Sequence, residues 1–252
     1  MKSPQRFLEK AQRWDIHRGF RFNQGRMSFQ RMRPKRARSP LLLLFLALCV
    51  AVIPRSSAQT ATITYTQDFP GSDPAHYSIA VSKQGHARYE SSGKLSDDSD
   101  GVETYQHEFE LSAKNCDRIF ELARQAKYFA GPVDSANGKL AFTGAKKLTY
   151  QDEQRIHSAT YNYSRSPAVE QLTSFFQNLS ATLEYGRRLI YYHRYQKLAL
   201  DEELKRMEAE AKDGTLIELQ AVQRVLEEIV ADSSVLNVVR ARAQRLVAMG
   251  NV

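Results

Sequence analysis

An apolar run of thirteen residues, 41–53, divides this 252-residue chain into two parts of opposite charge. Residues 1–58 hold 13 Lys and Arg against two acidic residues, which leaves 23 basic and 26 acidic residues from position 59 onward. The formal net charge of +8 therefore belongs to the amino-terminal part, and the rest of the chain is mildly acidic. The rest comprises 194 residues, enough for one folded domain with an extension.

The amino-terminal part has the pattern of a secretory signal peptide. A basic segment precedes an apolar core of the usual length, and the small residues Ser56 and Ala58 follow it. We therefore predict cleavage between Ala58 and Gln59. A membrane-spanning helix needs roughly 20 apolar residues, so a single-pass anchor through residues 41–53 is the alternative.

Either alternative places the later residues outside the cytoplasm, in the periplasm or beyond the cell, because the basic residues stay on the cytoplasmic side. The position of the basic segment before an export signal argues against a nucleic-acid partner. Membrane contact is expected only through the apolar run, if it is not cleaved. The true start of translation stays open among three methionines, Met1, Met27 and Met32.

Alternating apolar residues predict strands in the first half of the exported part. A helix over residues 113–127, capped by Ser112, is predicted from the 3-and-4 spacing of its apolar residues. The order β-β-β-α-β-β implies an α+β fold, an antiparallel sheet with a packed helix. The predicted strands are a hairpin of residues 77–81 and 86–90, a strand at 104–111, and a second hairpin of 147–150 and 155–163.

The chain from Ser166-Pro167 onward is predicted to be all helical, because a capping residue before proline begins a helix. Thr215 and Glu218 have the spacing of a capping box and predict the start of a later helix. We therefore predict three segments: the amino-terminal segment 1–58, an α+β sandwich domain over 59–182, and a helical extension over 183–252.

Three stretches of the exported part carry a resemblance to other proteins: HYSIAVSKQGHARYE, ELARQAKYFAG and KLTYQDEQRIHSATYNYS. In this order they resemble small exported bacterial domains of unknown function, which run as hairpin, strand, helix, second hairpin and helix. The resemblance implies the fold and export. It implies no catalytic residue and no cofactor.

Motifs of the well-marked hydrolases and nucleotide-binding proteins are absent from the sequence. The acidic residues 97–101 match a calcium loop only in part and are predicted to form a solvated turn. His86 and His107 lie on neighbouring predicted strands and could approach each other if the register allows it. Cys116 lies on the apolar stripe of the predicted helix, which favours an inert buried thiol over an activated one.

Residues 185–197 are the most unusual segment, because four tyrosines alternate with four cations. Tyrosine and arginine are typical anchors of binding surfaces, so this segment is the candidate site. The alternative is a junction helix whose tyrosines pack the sheet against the extension and whose arginines neutralise Glu202, Glu203 and Glu208. The candidate binding residues are Tyr185, Arg187, Arg188, Tyr191, Tyr192, Arg194 and Tyr195.

These observations favour a non-enzymatic binding domain of the cell envelope, with an envelope protein or polymer as its partner. The alternative is an unmarked envelope hydrolase that uses histidine and carboxylate residues on the sheet. A purely structural envelope component is the third hypothesis. No cofactor and no metal are predicted for any of them.

Overall fold

Six strands form one antiparallel sheet in the computed structural model, which describes residues 60–94, 101, 103–135 and 141–251. The strands are β1 (Thr62–Asp68), β2 (His76–Ser82), β3 (His86–Gly93), β4 (Glu103–Glu110), β5 (Ala145–Gln151) and β6 (Ile156–Tyr161). They lie in the order β4-β3-β2-β1-β5-β6. The predicted signal peptide, its cleavage site, the alternative anchor and most of the acidic turn predicted at residues 97–101 lie outside the described residues.

Five helices accompany this sheet in the described part of the chain: α1 (Ala113–Gln125), α2 (Pro167–Tyr195), α3 (Leu200–Lys212), α4 (Gln223–Ala231) and α5 (Asn237–Gly250). Short 3-10 turns at Lys127–Phe129, Lys197–Ala199 and Leu219–Val222 join some of them. The predicted α+β class and the helical carboxyl-terminal part are confirmed. Within the described residues, none of the helices combines the length and apolarity needed to cross a membrane.

The central strand β1 was missing from the predicted order. Both predicted hairpins are present, as β2–β3 and β5–β6, but β1 lies between β2 and β5 and joins them into one sheet. The period-2 alternation that defines a half-buried strand is visible in its sequence, TITYTQD. Ile63 and Tyr65 are fully buried, whereas the alternating threonines at positions 62, 64 and 66 are partly exposed.

The hydrophobic core lies between one face of the sheet and helices α1 and α2. Tyr65 on β1 stacks on Phe176 of α2 with ring centroids 5.2 Å apart. Ile119 of α1 and Leu172 of α2 are fully buried in the same cluster. Cys116 is also buried there, and its burial raises the pKa of the thiol. The predicted burial of this thiol is therefore confirmed, and its raised pKa agrees with the predicted inert role.

Helix α2 connects the sheet to the helical extension. Its 29 residues span roughly 43 Å and pass through position 182 without a break. The first half packs on the sheet, and the second half packs on α3 and on the 3-10 turn Leu219–Val222. Gly186 allows the close approach to that turn, since a Cβ atom here would lie 2.5 Å from Val222 Cγ1.

The predicted capping box of Thr215 and Glu218 was wrong. Glu218 has a left-handed backbone with φ of 54°, and the Thr215 hydroxyl donates to the Glu210 carbonyl at 2.8 Å. The Glu218 carboxylate instead accepts hydrogen bonds from the Ser112 amide at 3.0 Å and the Ser112 hydroxyl at 2.6 Å. Ser112 itself caps α1 as predicted, since its hydroxyl accepts from the Asn115 amide at 3.4 Å. Glu218 therefore holds the cap residue of a helix that is distant in the sequence.

Candidate functional site

The candidate residues of α2 point in different directions because the helix rotates by about 100° per residue. Arg188, Tyr191 and Tyr192 are partly exposed, Arg194 is exposed, and Tyr195 is 62% exposed. Tyr185 and Arg187 are buried. The segment thus has a buried side, as expected of a junction helix, and a partly exposed side, to which the predicted binding surface is confined.

A cleft of about 1210 Å³ lies beside this segment, between the sheet and the helices α2 and α3. The ends of β1, β2 and β3 form its floor, residues 71–75 form one wall, and α2 forms another. Tyr185, Arg188 and Tyr192 line it, which brings three of the seven candidate residues to one site. Sequence reasoning missed further polar residues of the lining: Gln67, Lys94, Gln177, Ser180, Glu184, Arg206 and Glu210.

Glu184 is the buried carboxylate of the inner wall. Its Oε1 accepts hydrogen bonds from the Tyr89 hydroxyl at 2.7 Å and the Ser91 hydroxyl at 2.6 Å. Arg187 pairs with its Oε2 at 3.4 Å. Burial, followed by the charge of Glu184, raises the pKa of Tyr89, so this tyrosine stays a hydrogen-bond donor.

Arg187 belongs to the interior and not to the cleft surface. Its Nη2 donates to the carbonyl oxygens of Gly93 at 2.9 Å and Glu103 at 3.2 Å. These carbonyls belong to the facing ends of β3 and β4. Arg187 therefore ties the two strands to α2, which is a positioning role for this candidate residue.

Arg188 and Arg206 share a second buried carboxylate, Glu203 of α3, at the outer end of the cleft. Arg188 Nε donates to Glu203 Oε1 at 2.6 Å, and Arg206 Nη2 donates to Oε2. The guanidinium of Arg188 also lies over the Tyr185 ring, 4.7 Å from its centroid. The predicted neutralisation of Glu203 by an arginine of this segment is confirmed, whereas the Glu208 carboxylate pairs with Arg245.

The floor of the cleft is held by a single amide. Gln67 Oε1 accepts hydrogen bonds from the Tyr65 hydroxyl at 2.8 Å, the Tyr77 hydroxyl at 3.0 Å and Gln177 Nε2 at 3.0 Å. Burial raises the pKa of both tyrosines above the usual range, so they remain neutral donors. The floor of the cleft is therefore polar, and its side chains are held by hydrogen bonds to one another.

Three tyrosines extend the cleft along the end of α2. The ring of Tyr192 contacts that of Tyr191 at 5.7 Å between centroids, and Tyr191 contacts Tyr195 at 5.3 Å. The Arg194 guanidinium lies 5.2 Å from the Tyr195 centroid. We call Tyr191, Tyr192 and Tyr195 the tyrosine ledge. Because Tyr192 also lines the cleft, the ledge and the cleft form one continuous surface.

The histidines do not converge as the sequence allowed. His107 pairs in register with Tyr89 on the helix-facing side, whereas His86 pairs with Glu110 on the outer face of the sheet. His107 is bonded through Nε2 to the Ala221 carbonyl at 2.9 Å. His86 is bonded to Glu110 beside a hollow of about 550 Å³. In the described residues no three His, Cys, Asp or Glu side chains cluster as metal ligands.

Neither a scan against protein-family models nor a comparison with curated proteins finds a match for this chain. The resemblance to small exported bacterial domains therefore stays a prediction from the sequence pattern.

Proposed function

We propose that this chain is an exported, non-enzymatic binding domain of the cell envelope, and that it holds its ligand in the cleft beside α2. The cleft of about 1210 Å³, lined by Tyr185, Arg188 and Tyr192, is the observation that carries the proposal. Ligand sites are concave and combine apolar surface with a few well-placed polar groups. The partner is an envelope protein or an envelope polymer.

The chemistry of the lining favours binding over catalysis. The described residues that line the cleft include neither histidine nor cysteine. Glu184 accepts hydrogen bonds from Tyr89 and Ser91, and Glu210 accepts one from Tyr185 at 2.7 Å. General acid or base catalysis needs a group that can exchange a proton with the substrate. Both oxygens of Glu184 are engaged by buried groups of the protein, whereas Glu210 keeps Oε2 without a bond to a described residue. We therefore assign Glu210 a hydrogen-bonding role toward the ligand.

Affinity capture tests this proposal. The full-length protein with a carboxyl-terminal tag, purified from a bacterial host, is mixed with a bacterial envelope extract. We expect it to retain an envelope component, and we expect Arg206→Ala and Tyr192→Ala to reduce retention at least about tenfold.

Matched variants control for the loss of charge and of an aromatic ring. Arg245→Ala removes an arginine that is 51% exposed and paired with a buried carboxylate, compared with 56% for Arg206, but it lies outside the cleft. Tyr163→Ala removes an exposed tyrosine elsewhere. Retention equal in the cleft variants and the controls, or no retained component at all, would contradict the proposal.

Export is tested separately. The protein is expressed from its complete sequence, and the exported fraction is analysed by amino-terminal sequencing. A first residue of Gln59 is the expected result. Protein that is found only in the cytoplasm would contradict export, and exported protein with intact residues 41–53 would support the anchored alternative.

A hydrolase is the second candidate function, and the pair of His86 and Glu110 is the observation that favours it. Both side chains are exposed on the outer face of the sheet, beside the hollow of about 550 Å³. Assays with esters, glycosides and peptides of envelope type test it. Turnover that is abolished by His86→Gln and unchanged by Tyr192→Ala would favour the hydrolase over the binding protein.

A further inference from the structure

We infer that the ligand of the cleft is an uncharged polysaccharide, one chain of which lies in the cleft and continues over the tyrosine ledge. This inference rests on the binding function proposed above and names its ligand class. It depends on three properties of the lining, namely its charge balance, its mixture of donors and acceptors, and its extension by aromatic rings.

The charged residues of the lining balance one another. The described lining residues include three cations, Lys94, Arg188 and Arg206, and three carboxylates, Asp73, Glu184 and Glu210. A site for an anionic polymer carries an excess of positive charge, because like charges repel the ligand and opposite charges steer it. Arg194 adds a cation beside the ledge, and the balanced lining of the cleft itself favours a ligand without net charge.

Donors and acceptors for a ligand lie side by side at the outer end of the cleft. Among the described residues, the two terminal Nη groups of Arg188 have no hydrogen-bond partner, because only Nε is used by Glu203. Glu210 Oε1 accepts from Tyr185, while its Oε2 accepts from no described residue. A sugar hydroxyl both donates and accepts a hydrogen bond, so it satisfies a guanidinium and a carboxylate together.

The tyrosine ledge supplies apolar contact over a greater length than the cleft alone. Its three rings are in contact, and Tyr195 at the far end is 62% exposed. An aromatic ring has an apolar face and, in tyrosine, a polar tip, which matches a sugar ring with its apolar C–H face and its hydroxyl rim. The rings are inclined at 63° and 49° to one another, so successive sugars of a polymer would each contact a separate ring and not one flat platform.

The size of the cleft agrees with a polymer. Sites for single small molecules have volumes of about 300–1,000 Å³, and this cleft of about 1210 Å³ continues onto the ledge. A chain with one sugar in the cleft would have its neighbours over Tyr191 and Tyr195.

Calorimetry with defined oligosaccharides tests the inference on the full-length protein. The neutral probes are cellohexaose and chitohexaose, and the charged probes are hexagalacturonate and hexaglutamate. We expect a neutral hexasaccharide to bind with an affinity that is unchanged between low and high salt. We also expect Tyr192→Ala and Arg206→Ala to weaken binding at least about tenfold, whereas Tyr163→Ala and Arg245→Ala leave it unchanged.

A second experiment separates this inference from the proposed function. The envelope extract is treated either with periodate, which cleaves the vicinal diols of sugars, or with a protease, and capture is repeated. Loss of capture after periodate alone supports the polysaccharide. Loss after protease alone, preference for a charged probe, or salt-sensitive binding would overturn it while leaving a cleft-dependent binding function intact. Capture that is the same for the wild type and the cleft variants would overturn both the polysaccharide inference and the proposed binding function.

Discussion

Glu184 of α2 and Glu203 of α3 are two buried carboxylates, and they differ in whether the arginines bonded to them are buried or line the cleft. Glu184 is bonded to Tyr89, Ser91 and Arg187, all of which are buried in the core. Glu203 is bonded to Arg188 and Arg206, which line the cleft. The exposure of the two carboxylates is similar, at 4% for Glu184 and 1% for Glu203. They differ in their arginine partners, because Arg187 is buried whereas Arg188 and Arg206 line the cleft that we propose as the binding site.

Among the variants that test this comparison, Arg187→Ala is expected to lower the free energy of unfolding most. It leaves Glu184 buried without its cation and frees the carbonyls of Gly93 and Glu103. We expect the free energy of unfolding to fall by about 3–5 kcal/mol, because an uncompensated buried charge is strongly destabilising. Urea denaturation measures it. A loss below about 1 kcal/mol would show that Arg187 is not an interior clamp.

Gly186→Ala tests whether the close contact between α2 and Val222 is needed for stability. The added Cβ would lie 2.5 Å from Val222 Cγ1, and Val222 is itself buried. We expect a loss of about 1–3 kcal/mol in unfolding free energy from overpacking. The double variant Gly186→Ala with Val222→Ala is the control, since it restores space. Recovery of at least part of the loss is expected, and no recovery would mean that the close approach is not the cause.

Arg188→Ala should destabilise the fold less than Arg187→Ala. Glu203 keeps Arg206 as a partner, so we expect a loss of only about 1–2 kcal/mol. Arg188→Lys retains the charge but not the planar guanidinium, and it should recover most of that stability without recovering ligand binding. Equal losses for Arg187→Ala and Arg188→Ala would remove the distinction between the two carboxylate sites.

A further variant tests a buried carboxylate outside the cleft. Glu208 is paired with the cations Lys212 and Arg245, so its substitution should change stability as a function of pH without changing the cleft. Hydrogen bonds from Arg245 and then Lys212 lower the pKa of Glu208 from 4.5 to about 2. The stabilisation is therefore complete above the unfolded pKa and is lost as the pH falls toward 2. We expect Glu208→Gln to lower the unfolding free energy by about 1–2 kcal/mol at pH 7, with the difference narrowing between pH 4.5 and 3.

The exposed Glu202 provides the control for this pH dependence. Its carboxylate is 67% exposed and lies 3.8 Å from Lys205 Nζ, so Glu202→Gln should change the stability very little at any pH. A difference between wild type and Glu208→Gln that stays constant from pH 7 to pH 3 would contradict the role given to Arg245 and Lys212.

Local patterns predicted most strands and helices but missed contacts between distant residues. Alternation and caps located β2–β6 and α1, because each depends on neighbours in the chain. The alternation of Ile63 and Tyr65 in β1 is a local pattern of the same kind, although the predicted order lacks this strand. Ser112 could be predicted as the cap of α1, but its bond to Glu218 could not, because the two residues are 106 positions apart.

The lining of the cleft was predicted only in part, again because local patterns do not show contacts between distant residues. The spacing of Tyr185, Arg188 and Tyr192 places them on one helix face, and the unusual composition drew attention to the segment. No local pattern indicated that Arg206 and Glu210 of α3, or Lys94 at the end of β3, would complete the lining. A buried acid within an apolar helix face, as at Glu184, was the one available hint.

Composition and local periodicity are enough to predict the α+β class, the helical carboxyl-terminal part and the acidic character of residues 59–252. They do not show which side chains of residues 185–197 face the cleft and which are interior, and this is known from the fold alone. Their placement depends on the close approach at Gly186 and on the docking of α3, which are contacts between parts of the chain that no local pattern links.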